Sequence, residues 1–385
     1  MSENSFTETT STGWFSRIGN SIKGIIVGLI MVVIAFPVLF WNEGRAVKTR
    51  KDLTQGTKDF VHVASDKVDT ANEGKLIHLT GTANSTDEIT DETLNVKSKA
   101  LVMKRTVEMY QWKESADTKT KKKLGGSEEK TTTYTYDKVW AEGRIDSGTF
   151  KKSSEYSNPS LPIQSASWTA SPIFVGAFTL SPELVKKLQK FAPMEIDETT
   201  ELPKKIDERK VNLENGMVYL AKKPTDPKLG DVRISYQVVL PTAVSIVSQQ
   251  KGQSFEAHTG KSGTTINMLQ VGEFTGEQMF EQAQASNKTM TWILRVVGFV
   301  LMFLGFSLMF KPLSVVADVL PIAGTIVGVG TGIVSFLLAA PLSLITISIA
   351  WIFYRPLIGI PMLLLAGVGI FFLIKKVAAY KKSKA

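Results

Sequence analysis

Residues 21–41 read SIKGIIVGLIMVVIAFPVLFW. From Ile25 to Trp41 no charged residue interrupts the run. Counted from Ser21, it reaches the ~20 residues that a helix needs to cross a bilayer. Whether it is a retained anchor or a removed leader decides the rest of the fold. The apolar run is long, lacks a clear A-x-A cleavage pattern, and closes on Phe40 and Trp41 as an interfacial belt does. It therefore reads as a retained first span. Ahead of it, Trp14, Phe15, Ile18 and Ile22 recur at helical spacing with Arg17 and Lys23 between them. That is the pattern of a short interfacial helix. Residues 1–12, MSENSFTETTST, read as a disordered polar tail, so 1–20 is taken as tail plus interfacial helix.

The remainder of the 385 residues divides sharply. Residues 42–291 hold 35 Lys/Arg and 33 Asp/Glu, the balanced composition of a water-soluble domain. Residues 292–385 hold eight basic residues and one acid, so most of the net charge of +9 sits beside the most apolar part of the chain. Basic residues in that position bind lipid head groups and fix topology. A nucleic-acid surface would need a basic stripe interleaved with stacking aromatics, and none is present. There is no cysteine, which removes disulfides, thiolate nucleophiles and Cys-ligated metals.

Further apolar runs lie at 293–310, 319–354 and 357–374. The middle one is too long for one straight span. It is expected to hold one span, with a re-entrant piece or a second short span in its glycine-rich first half. Lysines 375, 376, 381, 382 and 384 favour a cytoplasmic C-terminus, and Arg17 and Lys23 a cytoplasmic N-terminus. Two ends on one side require an even number of spans, and four fit: 21–41, 293–310, one within 319–354, and 357–374. The domain at 42–291 then stands outside the cytoplasm, and 375–385 is a basic cytoplasmic tail. Arg45, Lys48, Arg50 and Lys51 run against this assignment, though long translocated domains obey the charge rule weakly. Trp14, Trp41, Arg45, Trp292, Trp351, Tyr354 and Arg355 fall at span ends and read as interface anchors. Gly324, Gly328 and Gly332 are four apart and offer a smooth face for helix packing.

Within 42–291 strand signals dominate. In Lys104–Glu114, KRTVEMYQWKE, Thr106, Glu108, Tyr110 and Trp112 face one way and Val107, Met109 and Gln111 the other. A second aromatic run covers Thr131 to Trp140. The Lys-rich stretch between them, 115–130, reads as an exposed, mobile connection, so the pair is a predicted hairpin. Its aromatics, with Glu108, Tyr110, Trp112, Tyr134 and Tyr136 on view, form a sheet-packing face first and a partner face second. Other predicted strands are 76–80, 217–221, 232–240, 243–249 and 265–271. Ser181 is predicted to cap a helix over 182–191, and Thr275 a helix from Gly276 that runs on into the second span.

Chemistry-bearing constellations are missing. His62, His78 and His258 are far apart in sequence and have no second ligand at helical spacing. Residues 259–263, TGKSG, resemble the end of a phosphate loop, but the required glycine is Phe255. Residues 86–92 are acidic without the spacing of a calcium loop. Asp318, the one acid after residue 291, lies at a span end. No catalytic residue, metal site or cofactor is assigned.

Seven stretches together carry a family resemblance: 40–46 (FWNEGRA), 72–78 (NEGKLIH), 107–112 (VEMYQW), 158–160 (NPS), 230–235 (GDVRIS), 272–275 (GEFT) and 351–356 (WIFYRP). In this order and spacing the chain resembles the transmembrane protein 43 family, also called LUMA. The resemblance implies four spans, cytoplasmic termini and a large lumenal or periplasmic domain between the first two spans. It also implies self-association and binding to other membrane proteins, and it brings no catalytic residues. The expected fold is α+β: a four-helix integral membrane region with a large sheet-rich extracytoplasmic domain inserted between the first and second spans. The expected function is a non-enzymatic membrane scaffold whose partners are the lipid bilayer, further copies of itself and other membrane proteins, not nucleic acid. A bacterial inner membrane with a periplasmic domain is the expected location, or the endoplasmic reticulum or inner nuclear membrane in a eukaryote. The rival reading is a transporter or lipid-handling protein with 324–332 lining a path. A hydrolase using external carboxylates ranks third.

Overall fold

The computed structural model describes residues 4–357 and 360–361. All but the first positions of the expected fourth span, and the basic tail 375–385, lie outside the described residues. Three described helices are long and apolar enough to cross a membrane: α1 (Trp14–Asp59), α2 (Gly276–Ala317) and α3 (Pro321–Tyr354). Their outward sides carry exposed Ile26, Ile30 and Val33, then Val296 and Val300, then Ile326, Ile333 and Leu344, as helices facing lipid do. At 1.5 Å per residue α1 is about 69 Å long and α2 about 63 Å, roughly twice the hydrocarbon thickness. The expected spans are therefore the apolar parts of two much longer helices, which leave the apolar layer together and continue to the domain.

The 319–354 run is neither a re-entrant piece nor two short spans. It is one helix from Pro321 to Tyr354 that continues through Pro341. Proline at its first positions suits a helix start. The hydroxyls of Thr325, Ser335 and Thr346 each donate to the carbonyl four residues earlier, which satisfies these donors within the apolar helix.

The domain is built on β2 (Leu76–Asn84), β3 (Val102–Lys122), β4 (Glu128–Glu142), β5 (Val232–Val239) and β6 (Thr242–Lys251). One sheet runs, with β1 (Ser5–Thr12) at its edge, in the order β1–β4–β3–β5, then Met217–Leu220, Arg209–Glu214 and Lys205–Ile206, antiparallel throughout. A second places β2 beside β6, with Val61–His62 added in parallel to β2. Ile77, Leu79, Val107, Met109, Ile234 and Ile246, from both sheets, meet in one buried core. Under it lies Asp91, fully buried, which accepts from the Arg105 guanidinium and the Tyr236 hydroxyl, both at 2.5 Å. Burial and the neighbouring carboxylate push the Tyr236 pKa well above its ordinary value, so the phenol stays a donor.

His62 and His78, far apart in the sequence, come into contact, Nδ1 to Nδ1 at 2.9 Å. The other ring nitrogen of His78 lies 2.9 Å from the Phe274 carbonyl, which can only accept. His78 therefore carries its proton on Nε2, and its Nδ1 accepts a hydrogen bond from His62 Nδ1–H. Burial holds the His78 pKa below the ordinary 6.5.

Three sequence expectations need correction. The polar tail is ordered as β1: it pairs with β4 over eight residues, and Thr7 and Thr9 bond Thr133 and Thr131 through their hydroxyls. The Lys-rich connection is strand, because β-branched threonines line β4 and Lys121 and Lys122 face Glu129 and Glu128 across the ladder. Only residues 123–127 remain as the turn. The helix expected over 182–191 stops at Val185.

The ribbon of β3, β4 and β1 extends from the domain to the opposite end of the helix bundle. There Asp318, 1 % exposed, pairs with Arg17 at 2.5 Å and Lys122 at 2.7 Å. The Gly125 N–H donates to Val319 O, and the Trp14 indole to Val315 O. Asp318 is therefore a satisfied structural acid. The outer edge of β3 is satisfied at Tyr110 by Gly230 and Asp231 and at Trp112 by Asn158, but beyond Trp112 it has no strand partner among the described residues, and an open sheet edge in hydrocarbon costs several kcal/mol per backbone group. A bilayer around the apolar helix middles and a docked ribbon tip therefore exclude each other, and in lipid the tip must part from Arg17 and Asp318.

Three outcomes are expected. Asp91→Ala strands Arg105 and lowers stability by about 3–5 kcal/mol in denaturant unfolding; a loss under about 1 kcal/mol contradicts the buried network. His78 has a depressed folded pKa, so its contribution is intact above 6.5 and lost as pH falls below that value. The wild-type melting temperature should accordingly drop more than that of His78→Gln between about pH 7 and about pH 5, and equal slopes contradict the assignment. In sealed vesicles a membrane-impermeant maleimide should label Leu124→Cys from the same side as Lys261→Cys. Labelling of Leu124→Cys only from the opposite side shows that the ribbon stays docked in lipid.

Candidate functional site

The described apolar runs end together, at Trp41 in α1, Trp292 in α2 and Tyr354 in α3, and the residues just beyond them form a polar joint. Glu43 is completely buried on the inner face of α1. Arg295 grips it with two bonds, Nε to Oε1 at 2.6 Å and an NH2 to Oε2 at 2.9 Å, and the Trp351 indole N–H donates to Oε2 at 2.8 Å. The Arg295 guanidinium also lies 4.7 Å from the Trp292 ring centroid and 5.6 Å from that of Trp351. Bidentate geometry plus a third donor is what a carboxylate needs to be tolerated without water.

One turn along, Arg45 donates to the Asn287 amide oxygen at 3.0 Å and to the Thr291 hydroxyl at 3.2 Å. Asn42 donates to the Thr291 carbonyl and Asn287 to the Ala46 carbonyl, which ties α1 to α2 in both directions. Gly44 admits the Tyr354 ring: a Cβ there would lie 2.5 Å from Tyr354 Cζ. Phe40 packs on Phe353 and Tyr354. Farther along the stalk, the Asp52 carboxylate accepts the N–H groups of Ser262 and Thr264 at 2.9 Å, and Thr275 caps α2 with a reciprocal bond to Gln278.

Of the expected anchors, Arg45, Trp292, Trp351, Tyr354 and Arg355 meet at this joint. Trp41 points outward, and Trp14 sits at the far end against Gly126. Sequence reading missed Glu43, although a carboxylate directly after a span is costly unless paired and could have been flagged. The glycine ladder is placed differently from expectation. Only Gly324 is tight, against Asp318; Gly328 has a single neighbour at 3.8 Å and Gly332 none within 4 Å among the described residues. Close helix contact falls instead at Gly28 against the Gly305 backbone and Gly298 against Leu39.

The expected sheet face is consumed by packing. Glu108 pairs with Arg233 at 2.7 Å, Tyr110 packs on Trp140, and Trp112 meets Tyr156 edge-on with Lys138 over its ring. Tyr134 stacks on Phe6. Tyr136 is buried, stacked on Tyr156 at 3.8 Å, and donates to Glu114, which with burial raises its pKa.

The seven sequence stretches gather in space into two pairs and one group of three. FWNEGRA at 40–46 and WIFYRP at 351–356 are two sides of the joint. His78, ending 72–78, bonds Phe274 in 272–275. Trp112 is bracketed by the Asn158 side chain at 2.7 and 2.9 Å, and Tyr110 shares two backbone bonds with Gly230 and Asp231. The family described as Transmembrane protein 43 matches residues 109–356. Relatives named Transmembrane protein 43 are 30% identical in Rattus norvegicus, over 91% of this chain and 89% of theirs, and 30% identical in Homo sapiens, over 94% and 91%. A Drosophila melanogaster homolog is 27% identical over 89% of this chain and 92% of its own. No solved structure matches the chain. With three apolar helices, a sheet-rich domain and a match along nearly its whole length, this chain is a membrane protein of the transmembrane protein 43 family.

Proposed function

We propose that the protein is a non-enzymatic multi-pass membrane scaffold, with four spans counting 357–374, that self-associates and presents its domain to partner proteins. Both termini lie on the cytoplasmic side, beside Arg17, Lys23 and the C-terminal lysines, and the domain on the other. In a bacterium that side is the periplasm.

The observation that carries this reading is the stalk. α1 and α2 pass without a break from the apolar layer into the domain, locked by Glu43–Arg295 at one level and by the Asp52 carboxylate at another. Leu53, Val247, Met279 and Phe280 form a small core where stalk and second sheet meet. A domain so mounted has a fixed height and orientation relative to lipid, which serves binding between membrane proteins. The aromatic side chains are spent on internal packing, which leaves polar loops and strand edges as the contact surfaces.

Crosslinking in native membranes, followed by size measurement of the full chain in mild detergent and identification of what co-purifies, tests the proposal. Crosslinked multimers, or a stable membrane-protein partner, are expected. A strictly monomeric particle with no co-purifying protein contradicts it.

A further inference from the structure

Beside the Glu43 joint, lined by residues of α1, α2 and the end of α3, lies a cavity of about 620 Å³ that neither the fold nor the stalk requires. Its walls carry Arg50, Lys288, Arg295 and Arg355, with Trp292 and Trp351 among them. Glu281 is the one acid in the lining. Arg295 is committed to Glu43, whereas Arg50, Lys288 and Arg355 have no ion pair among the described residues. Arg355 is partly withdrawn from water, and of the charges around it Glu43 attracts while Arg50 and Arg295 repel; Glu43 is already gripped by Arg295, so an added anion would bring Arg50 and Arg355 a partner that neither now has among the described residues. The cavity sits where the three apolar runs end, at head-group depth.

A second feature adjoins it on the apolar side. A groove of about 270 Å³ descends between α2 and α3, lined by Val296, Phe299, Ala340, Leu344 and Ile347, and it shares Trp292 and Arg295 with the cavity above. A cationic chamber opening into an apolar furrow matches one class of ligand: a phosphate carrying a fatty chain.

We infer that this chain binds an anionic phospholipid specifically, with the phosphate held by Arg50, Lys288 and Arg355 and one acyl chain lying in the α2–α3 groove. The site rests on membrane residence and the joint geometry, and stands whether or not the protein acts as a scaffold. Trp292 and Trp351, as lining residues, report on the occupant directly.

The test reconstitutes the full chain in phosphatidylcholine vesicles and adds brominated phosphatidylglycerol or brominated phosphatidylcholine, reading quenching of tryptophan fluorescence. A preference of roughly 30- to 150-fold for the anionic lipid is expected, the size that two or three interfacial cations provide. Arg50→Gln with Arg355→Gln should abolish it, Arg50→Lys should retain it, and Ala340→Phe, which fills the groove, should weaken it. Unchanged melting of these variants keeps the readout separate from folding. Equal quenching by the two lipids overturns the inference, including the case where residues 357–374 of the chain fill the groove. Competition by inorganic phosphate as effective as by lipid overturns it in favour of a plain anion site. Persistence of the preference in the double Gln variant removes the residues named.

Discussion

A carboxylate buried at the edge of an apolar layer is the constraint on which the structure turns. Glu43 has no access to water, and it is stable there only because Arg295 and the Trp351 indole satisfy both of its oxygens. These three groups come from three helices, so satisfying the charge fixes the helices in rotation and depth together. Glycines make the approach possible: Gly44 receives the Tyr354 ring above, while Gly298 and Gly305 let α1 and α2 touch below. An apolar residue at position 43 could pack well, yet it would specify neither the register of α1 on α2 nor the height of α3.

From that joint the order of the chain follows. The two long helices emerge in fixed register, the Asp52 carboxylate cradles the 262–264 turn, and Phe60 and Phe280 close the small core beneath the second sheet. The first sheet hangs on the second through their shared apolar core and sends out the long ribbon. At the ribbon tip the same physics recurs in reverse. Asp318 is buried between Arg17 of α1 and Lys122 of the ribbon, and a lipid layer removes the Lys122 half of that arrangement by excluding the polar strands that supply it.

Much of this was legible beforehand. The 21–41 run, the balanced middle of the chain and the alternation across 104–114 follow from local periodicity, and local periodicity is what a sequence displays directly. The odd side of that strand is indeed the core side, with Val107, Met109 and Gln111 buried. Thr275 was readable as the start of a helix running into the second span because capping is a local event. What escaped notice depended on partners distant in the chain. The tail MSENSFTETTST looks disordered alone and becomes a strand only beside threonines about 120 residues away. His62 and His78 meet through a parallel pairing that leaves no short-range mark. The glycine spacing at 324–332 was real as a pattern, but which face of a helix meets another is set by the joint. The seven stretches behind the family resemblance escaped explanation for the same reason: each serves a contact with another.

The claim at the centre is that Glu43 and Arg295 act as a unit holding the stalk. A double-mutant cycle on the full chain in detergent, read by thermal unfolding, addresses it. Glu43→Leu and Arg295→Met should each destabilise by about 3–5 kcal/mol, because each leaves the other charge buried and alone, and the two together should cost far less than the sum. Strictly additive losses would contradict the account, since the two residues would then be contributing independently.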